Sequence, residues 1–373
     1  MLNIGVIGAG GRGYLSRNAL APEVGGRIVA LCDTNPAGYA GYADCCPANV
    51  FKTPDYRELL ARPEVEAVFI TTPDFLHEEM AVASLEAGKA VYLEKPMAIT
   101  TEGCDRILRA AQRTGSRLYL GHNMRHMRFV RKMKELIDSG AIGEVKAAWC
   151  RHFIAYGGDS YFKDWHAERS KATSLLLQKA AHDIDILHWL CGAYTRRVVA
   201  QGALSVYGQI TDRFAPGEPY NTSWSDNNWP PLSQKKLNPV IDVEDLNHVL
   251  MTLDNGVLAT YQQCHFTPDP WRDYTIIGTE GRIENLGEER VAIWRKRGPY
   301  RAEGDEVFEC GNPYGGHGGA DPRIVAEFVR YAREGGATTT TPLAAREAVA
   351  TGCAAAWSLR NGSAPVDVPE FRD

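Results

Sequence analysis

The chain contains no apolar run approaching the roughly 20 residues that a membrane-spanning helix needs. It has no block of basic residues: Lys plus Arg total 41 against 46 Asp plus Glu, a formal net charge of −5. That balance lacks the basic footprint of nucleic-acid and membrane-surface binders. No Cys-x-x-Cys pair occurs among its nine cysteines, and only Cys45 and Cys46 are adjacent. They are expected as reduced thiols, mostly core filler, with no disulfide framework and no zinc site. No internal repeat is present. The N-terminus lacks a charged segment followed by an apolar stretch and a small-residue cleavage site, so a cytoplasmic location is expected. The apolar share is 44% and the charged share 23%, an ordinary globular mix, and 373 residues suffice for two cores.

Over the first 123 residues, short apolar runs alternate with helical segments. The runs are Ile4–Ile7, Ile28–Cys32, Ala67–Thr71, Val91–Leu93 and Leu118–Leu120; helices are expected near Arg12–Leu20, Pro54–Leu60, His77–Ala87 and Thr101–Arg113. Buried strands alternating with helices predict a parallel, doubly wound sheet. After a helix near Phe129–Ser139 the pattern changes. Strand-like stretches run Val145–Ile154, Val198–Tyr207, Leu246–Leu253, Val257–His265, Tyr274–Ile277 and Val291–Trp294, interrupted by one helix, about Leu175–Leu190. Turn signals Asp254-Asn255-Gly256 and Gly278-Thr279-Glu280-Gly281 join several of them as hairpins. Two helices, Asp321–Arg333 and Leu343–Ser358, close the chain. The expected class is α/β: a parallel domain over 1–123, then an α+β domain over 124–373 with an open, mostly antiparallel sheet. The stretch 208–243, rich in Pro, Asn, Asp and Ser and carrying Trp224 and Trp229, reads as a surface excursion or as a lid or subunit contact.

The run Gly8-Ala9-Gly10-Gly11-Arg12-Gly13 ends the first strand and opens a helix, with Gly8, Gly10 and Gly13 in G-x-G-x-x-G register. The tight turn, the approach of backbone to a pyrophosphate and close helix packing each exclude a Cβ. The helix N-terminus then offers free N–H groups to phosphates. Asp33 ends the second strand, 33 − 13 = 20 residues after the last glycine, where a carboxylate meets the adenosine ribose hydroxyls and repels a 2′-phosphate. NAD is therefore the expected cofactor, preferred over NADP, with Thr34 and Asn35 beside Asp33. Arg12 is a second candidate phosphate contact.

The fourth run leads into Glu94-Lys95-Pro96, and ligands of open α/β sheets bind beyond the carboxyl ends of the strands. Lys95 can there bond a substrate hydroxyl and stabilise charge as that carbon becomes a carbonyl; spacing alone fits a solvated charge as well. The glycine run, Asp33, Thr71-Thr72-Pro73 followed by His77, Glu94-Lys95-Pro96, Gly121-His122-Asn123-Met124-Arg125, and His182-Asp183-Ile184-Asp185 together resemble the Gfo/Idh/MocA family, which includes glucose–fructose oxidoreductase and inositol dehydrogenase. The pattern spans nearly the whole chain.

The resemblance implies an N-terminal Rossmann domain and an open-sheet second domain, a nicotinamide cofactor and a sugar or polyol substrate. It implies that Lys95 is catalytic and that His182 accepts the substrate's proton, a task suited to imidazole. It places Thr72, Pro73, His77 and Glu94 with Lys95 on the cofactor side. His182 taken alone reads more readily as a satisfied core histidine. Where many relatives carry Asp four residues before this His, the chain has Gln178, then Lys179. Gln178 cannot accept a proton. Asp185, one turn after His182, can orient its imidazole. His182 and Asp185 are too few for a metal, and none is expected.

Softer substrate-binding candidates are His122, Asn123 and Arg125, then Tyr156, Trp165 and His166, and His317 in the Gly315–Gly319 loop, which also reads as a plain turn. Arg125, His126, Arg128, Arg151, His152 and Lys179 suggest an anionic sugar, or else solvated surface charge. The expected partners are a small sugar or polyol and a second copy of the chain, in a homodimer or homotetramer, with no nucleic acid or membrane. The net reaction is expected to be hydride transfer at a hydroxyl-bearing carbon. The alternative is an NAD-dependent glycosidase that oxidises, eliminates, hydrates and reduces with retained cofactor. A cofactor-binding sensor without turnover is a third reading, opposed by intact Lys95 and His182.

Overall fold

The computed structural model describes every residue except 216, 219–221, 312–315 and 373. It divides into two compact units. The first holds residues 1–127 with 316–346 and 371–372; the second holds 128–311 with 347–370. Neither is the single contiguous stretch expected from the sequence. The reason is a late helix whose Ile324, Val325, Phe328 and Val329 are buried in the first unit's core. Phe328 meets Phe69 edge-on at 5.0 Å, and Phe69 stacks on Tyr92 at 4.6 Å.

The first unit is a six-stranded, wholly parallel sheet of β1 (Leu2–Ile7), β2 (Gly26–Cys32), β3 (Phe51–Thr53), β4 (Ala67–Ile70), β5 (Ala90–Leu93) and β6 (Leu118–Leu120), in the order β3-β2-β1-β4-β5-β6. The order reverses at β1, which places a ligand crevice beyond the carboxyl ends of β1 and β4. Helices α1 (Tyr56–Leu60), α2 (His77–Glu86) and α3 (Thr101–Thr114) connect strands. Thr100 caps α3 by accepting from the Gly103 N–H, and left-handed Gly115 ends it. The helix expected after the glycine run is a 3₁₀ helix, Gly11–Leu20. Two of its first three residues are glycine, and the hydroxyls of Ser16 and Tyr42 both donate to the Gly13 carbonyl, at 2.8 and 2.7 Å.

The second unit begins with α4 (Arg128–Asp138) and is built on β7 (Val145–Phe153), β8 (Thr195–Ala203), β9 (Leu246–Leu253), β10 (Leu258–Cys264), β11 (Trp271–Gly278), β12 (Arg282–Leu286), β13 (Arg290–Trp294), β14 (Glu306–Glu309) and β15 (Val366–Asp367). The order is β14-β13-β12-β11-β7-β10-β9-β8-β15, antiparallel at every pairing except β7 with β10. Between β7 and β8 lie α5 (Gly157–Ser160), α6 (Arg169–Ala172), α7 (Leu175–Gln178) and α8 (Ala181–Cys191); the last helices of the chain are α9 (Gly316–Glu334), which belongs to the first unit, and α10 (Pro342–Arg360).

The single helix expected over Leu175–Leu190 is broken. The N–H groups of Lys179 and Ala180 both reach the Leu175 carbonyl, at 3.0 and 3.1 Å. The second bond spans five residues, a π-type turn of the kind that recurs at functional sites. On the inner sheet face, Ala148, Cys150 and His152 of β7 and Ala259, Tyr261 and Gln263 of β10 are buried. On the outer face Trp149, Leu250, Leu258 and Trp271 stand exposed, Trp149 and Leu250 both registered against Thr260.

Candidate active site

In the first unit the glycine run is shaped for a close-lying ligand. A Cβ on Gly13 would sit 2.2 Å from the Gly8 carbonyl oxygen, and one on Gly8, at φ +85, 2.9 Å from Thr71 backbone. Ala9 is fully buried. The Gly10 N–H donates to Asp33 Oδ2 at 2.9 Å, so the strand-end carboxylate lies against the glycine turn, as ribose recognition requires. Asp33 Oδ1 accepts from the Asn35 N–H at 2.8 Å, which leaves lone pairs on both oxygens. These residues fit the adenosine and pyrophosphate part of a dinucleotide. Thr34 is exposed. Asn35 turns its side chain to the Ala37 N–H and caps the following turn, so its amide oxygen is already engaged.

Arg12 does not present its guanidinium to phosphates. It donates to Glu94 Oε1 at 2.7 Å and to both oxygens of Asp321 at 2.8 and 3.0 Å, with His317 Nδ1 at 3.2 Å. Asp321 also accepts from Asn123 Nδ2 at 3.1 Å. Burial alone would raise both carboxyls, but they lie below their usual range: Arg12 outweighs it at Glu94, and His317 and Arg12 at Asp321. Glu94 is thus an anchor that ties the Lys95 strand end to the glycine loop, and Asn123 and His317 belong to the same network. His317, Gly318 and Gly319 are left-handed; Gly315 of that loop lies outside the described residues.

His77 is fully buried, its ring nitrogens 2.7 Å from the Pro96 carbonyl and 2.9 Å from the Thr72 carbonyl. It clamps the loop holding Thr72 and Pro73 to the loop holding Lys95, so its ring is not aimed at a cofactor. Burial pulls its pKa down against both carbonyls. Lys95 is half-buried just past β5, and His122 is buried past β6. Arg125 donates to the Thr339 carbonyl at 2.8 Å, and His126 lies 3.6 Å from Glu327.

In the second unit, α8 brings Asp183 down onto the sheet. Its carboxylate receives Tyr261 at 3.1 Å, Tyr274, His152 Nδ1 at 3.0 Å and Arg272 Nε at 3.1 Å, all on β7, β10 and β11. Burial alone would raise it, but Arg272 and then His152 hold it below the usual carboxylate range. Burial and Arg272 push His152 down to about 3, so it is neutral. Arg151 is paired with Asp273. Of the cations whose sequence pattern suggested an anion site, His152 and Arg151 are therefore engaged, and exposed Arg128 lies at the start of α4.

His182 and Asp185 are buried in the first turns of α8, and Gln178 is buried at the end of α7. Lys179, at the break, donates to Tyr156 Oη at 3.1 Å. Its ammonium lies 5.3 Å from the ring centres of both Tyr156 and Tyr161. Trp165 stacks on His166 at 3.7 Å; His166 meets Asp164 at 2.5 Å and Tyr161 edge-on at 5.2 Å. The structure thus gathers Tyr156, Trp165, His166 and Lys179 around Tyr161, a residue that the sequence did not single out. Its signal was the run of aromatic residues at 156, 161, 162 and 165 before the helix.

A parallel sheet with a glycine-rich first turn, an acid ending its second strand and a lysine beyond its fifth defines a dinucleotide-dependent oxidoreductase. The chain belongs to the GFO/IDH/MocA family: the family's Rossmann region, described as "Oxidoreductase family, NAD-binding Rossmann fold", matches residues 2–122, and its C-terminal domain matches 130–284. Its cofactor is NAD. Inositol 2-dehydrogenase/D-chiro-inositol 3-dehydrogenase of Halalkalibacterium halodurans is 36% identical over 194 residues, 51% of this chain and 52% of that protein. Inositol 2-dehydrogenase of Salmonella typhimurium is 32% identical over 191 residues, 51% of this chain and 54% of that protein. The chain thus aligns with about half the length of these dehydrogenases. The structure of levoglucosan dehydrogenase in complex with NADH and levoglucosan has the same fold, with a TM-score of 0.79 at 23% identity over 99% of this chain and 100% of that one. Among the described residues no helix is long and apolar enough to cross a membrane, and no group of three metal-ligating side chains occurs.

Proposed function

We propose that the chain is an NAD-dependent dehydrogenase of sugars or polyols, anionic sugars included. The observation that carries this reading is the pairing of Asp33 with the Gly10 N–H, which makes a carboxylate-floored ribose site beside the glycine turn. The names of the inositol and levoglucosan dehydrogenases support the substrate class. Bound NAD supplies the hydride acceptor. In this reading Lys95 bonds the reacting hydroxyl and steadies charge on its oxygen, while His182 takes the hydroxyl proton. Gln178 holds a neighbouring hydroxyl, and His122, Tyr156, Trp165, His166 and Asp185 shape the rest of the sugar site. Asp33 excludes a 2′-phosphate. The test is a panel of hexoses, hexuronates and cyclic polyols with NAD or NADP, followed by reduced-cofactor absorbance. NADH formation from at least one of them, with NADP poorer, is expected; no reduced cofactor from any would overturn the reading.

A second reading is the NAD-dependent glycosidase. Gln178 in place of the usual acid favours it, together with several proton-carrying groups around Tyr161. We further propose a homodimer or homotetramer formed through the outer face of the nine-stranded sheet. Four large apolar residues there, Trp149, Leu250, Leu258 and Trp271, are 41–61% exposed, a patch that association would cover. Light scattering should show an oligomer at micromolar concentration and Leu250→Glu should reduce it; a wild-type monomer would refute the proposal.

A further inference from the structure

The geometry points to Lys179 as the anchor for a carboxylate on the substrate, with His265 as its neutral hydrogen-bonding neighbour; this rests on the sugar reading above and adds the substrate's charge to it. Lys179 is only 9% exposed, yet it has no carboxylate partner among the described residues. Its hydrogen-bonding neighbours are two phenols, Tyr156 at 3.1 Å and Tyr161, whose ring centres both lie 5.3 Å from the ammonium. A buried ammonium without a counter-ion is expensive, because burial strips water and nothing charged replaces it.

Of the acids around this cluster, exposed Glu288 acts on Tyr156 but makes no ion pair with Lys179, and the less exposed ones are committed elsewhere. Asp183 belongs to Arg272 and His152, Asp164 to His166, and Asp159 receives Asn228 and lies 3.8 Å from Lys163. The phenols of Tyr156 and Tyr161 are pushed up by burial and carry no charge at neutral pH.

His265 supplies an independent observation. Its imidazole is fully buried and packs edge-on against Tyr161 at 5.3 Å and Phe162 at 6.0 Å. Neither ring nitrogen has a partner among the described residues. Its backbone is fixed: the N–H donates to the Asp245 carbonyl at 2.9 Å, and its carbonyl accepts from Tyr207 at 2.8 Å. The ring cannot therefore seek a partner by moving the strand end. Burial, with His152 and Lys179 adding to it, holds the ring neutral, so one nitrogen keeps an N–H for a ligand oxygen. The π-type turn at Ala180 sets Lys179 outside the regular helix beside this ring cluster. The remaining ammonium N–H and one imidazole N–H suit the two oxygens of a carboxylate better than a single neutral hydroxyl.

The test is calorimetry of the NADH-loaded enzyme with a hexuronate, its methyl ester and the matched hexose. The free acid should bind at least about tenfold tighter than the ester, the scale of one charge-assisted hydrogen bond. That advantage should vanish in Lys179→Met and persist in part in Lys179→Arg. Equal binding of acid and ester by the wild-type enzyme, which needs no variant, overturns the inference; so does an advantage that survives Lys179→Met. Turnover separates the two claims. NAD-dependent oxidation of a neutral sugar with equal acid and ester binding leaves the dehydrogenase reading and removes the subsite. Tight acid binding without any NADH-forming reaction leaves the subsite and removes the dehydrogenase reading.

Discussion

The two units bury charge in opposite ways. In the first, one cation, Arg12, is shared by two carboxylates, Glu94 and Asp321. In the second, one carboxylate, Asp183, is shared by Arg272, His152, Tyr261 and Tyr274, and among the described residues no acid pairs with Lys179. Arg12, Glu94 and Asp321 join a glycine loop, a strand end and a late helix, so that network is a fastening. The second network is satisfied beneath α8, while beside it a cation and a neutral imidazole remain unmatched. A satisfied network fixes a scaffold; an unmatched one awaits a ligand.

The largest effects should come from the proposed reacting groups. Lys95→Ala and His182→Ala should each lower turnover by roughly 10²–10⁴-fold with NAD binding retained, the range for a positioned acid–base group. Steady-state kinetics beside a fluorescence titration of NADH checks this, and full activity of His182→Ala would remove it from the base role.

Next is Asp183. Its replacement by Ala leaves Arg272 buried without its acid and should lower stability by about 3–5 kcal/mol, read by denaturant unfolding. The folded carboxyl sits below its ordinary value, 3.8, so its contribution is present above that value and lost as pH falls further. Asp183→Asn should therefore be less stable at neutral pH and should lose less on acidification. An unchanged acid limb would contradict the buried-pair account.

Glycine substitutions test the first unit's fastening. Gly13→Ala drives a Cβ into the Gly8 carbonyl, whereas one on Gly11 meets nothing within 4 Å and only its φ of +48 opposes the change. The first should weaken NAD binding at least about tenfold and cost about 1–3 kcal/mol in stability; the second should cost about 1 kcal/mol. Equal losses would mean that close packing is not what the motif supplies. The smallest effect is expected at Asp33: Asp33→Ser should narrow the preference for NAD over NADP by about tenfold, one like-charge contact removed. Competitive titration reads it, and tighter wild-type binding of NADP would sink the assignment.

Much of the first unit was legible because its signals are local. The glycines, Asp33 and the alternation of strands and helices each lie within a few residues of what they specify. What escaped includes β3, three residues at the sheet edge, the 3₁₀ helix Pro36–Tyr42, the late helix that joins this core, and the conversion of the first helix to 3₁₀ form, set partly by the Tyr42 hydroxyl from 29 residues away. The second unit hid more. Leu175–Leu190 has unbroken apolar periodicity, and periodicity cannot reveal a single hydrogen bond shifted by one residue at Ala180. Strands β12, β14 and β15 were missed for want of a long apolar run. The Asp183 network is assembled by sheet register, joining residues 31 to 91 positions apart. One signal was available: Tyr261, Gln263 and His265 alternate along a strand, and polar residues at that spacing on an inward face mark a polar interior.

The stoichiometry of cofactor reduction tests the dehydrogenase reading most directly. The enzyme is given excess NAD and a free sugar or sugar acid, and separately sub-stoichiometric NAD and the chromogenic glycoside of the same sugar. One NADH is expected for each free sugar oxidised, with glycosides left intact. Many turnovers of aglycone release without net NADH would contradict it and establish the glycosidase cycle instead.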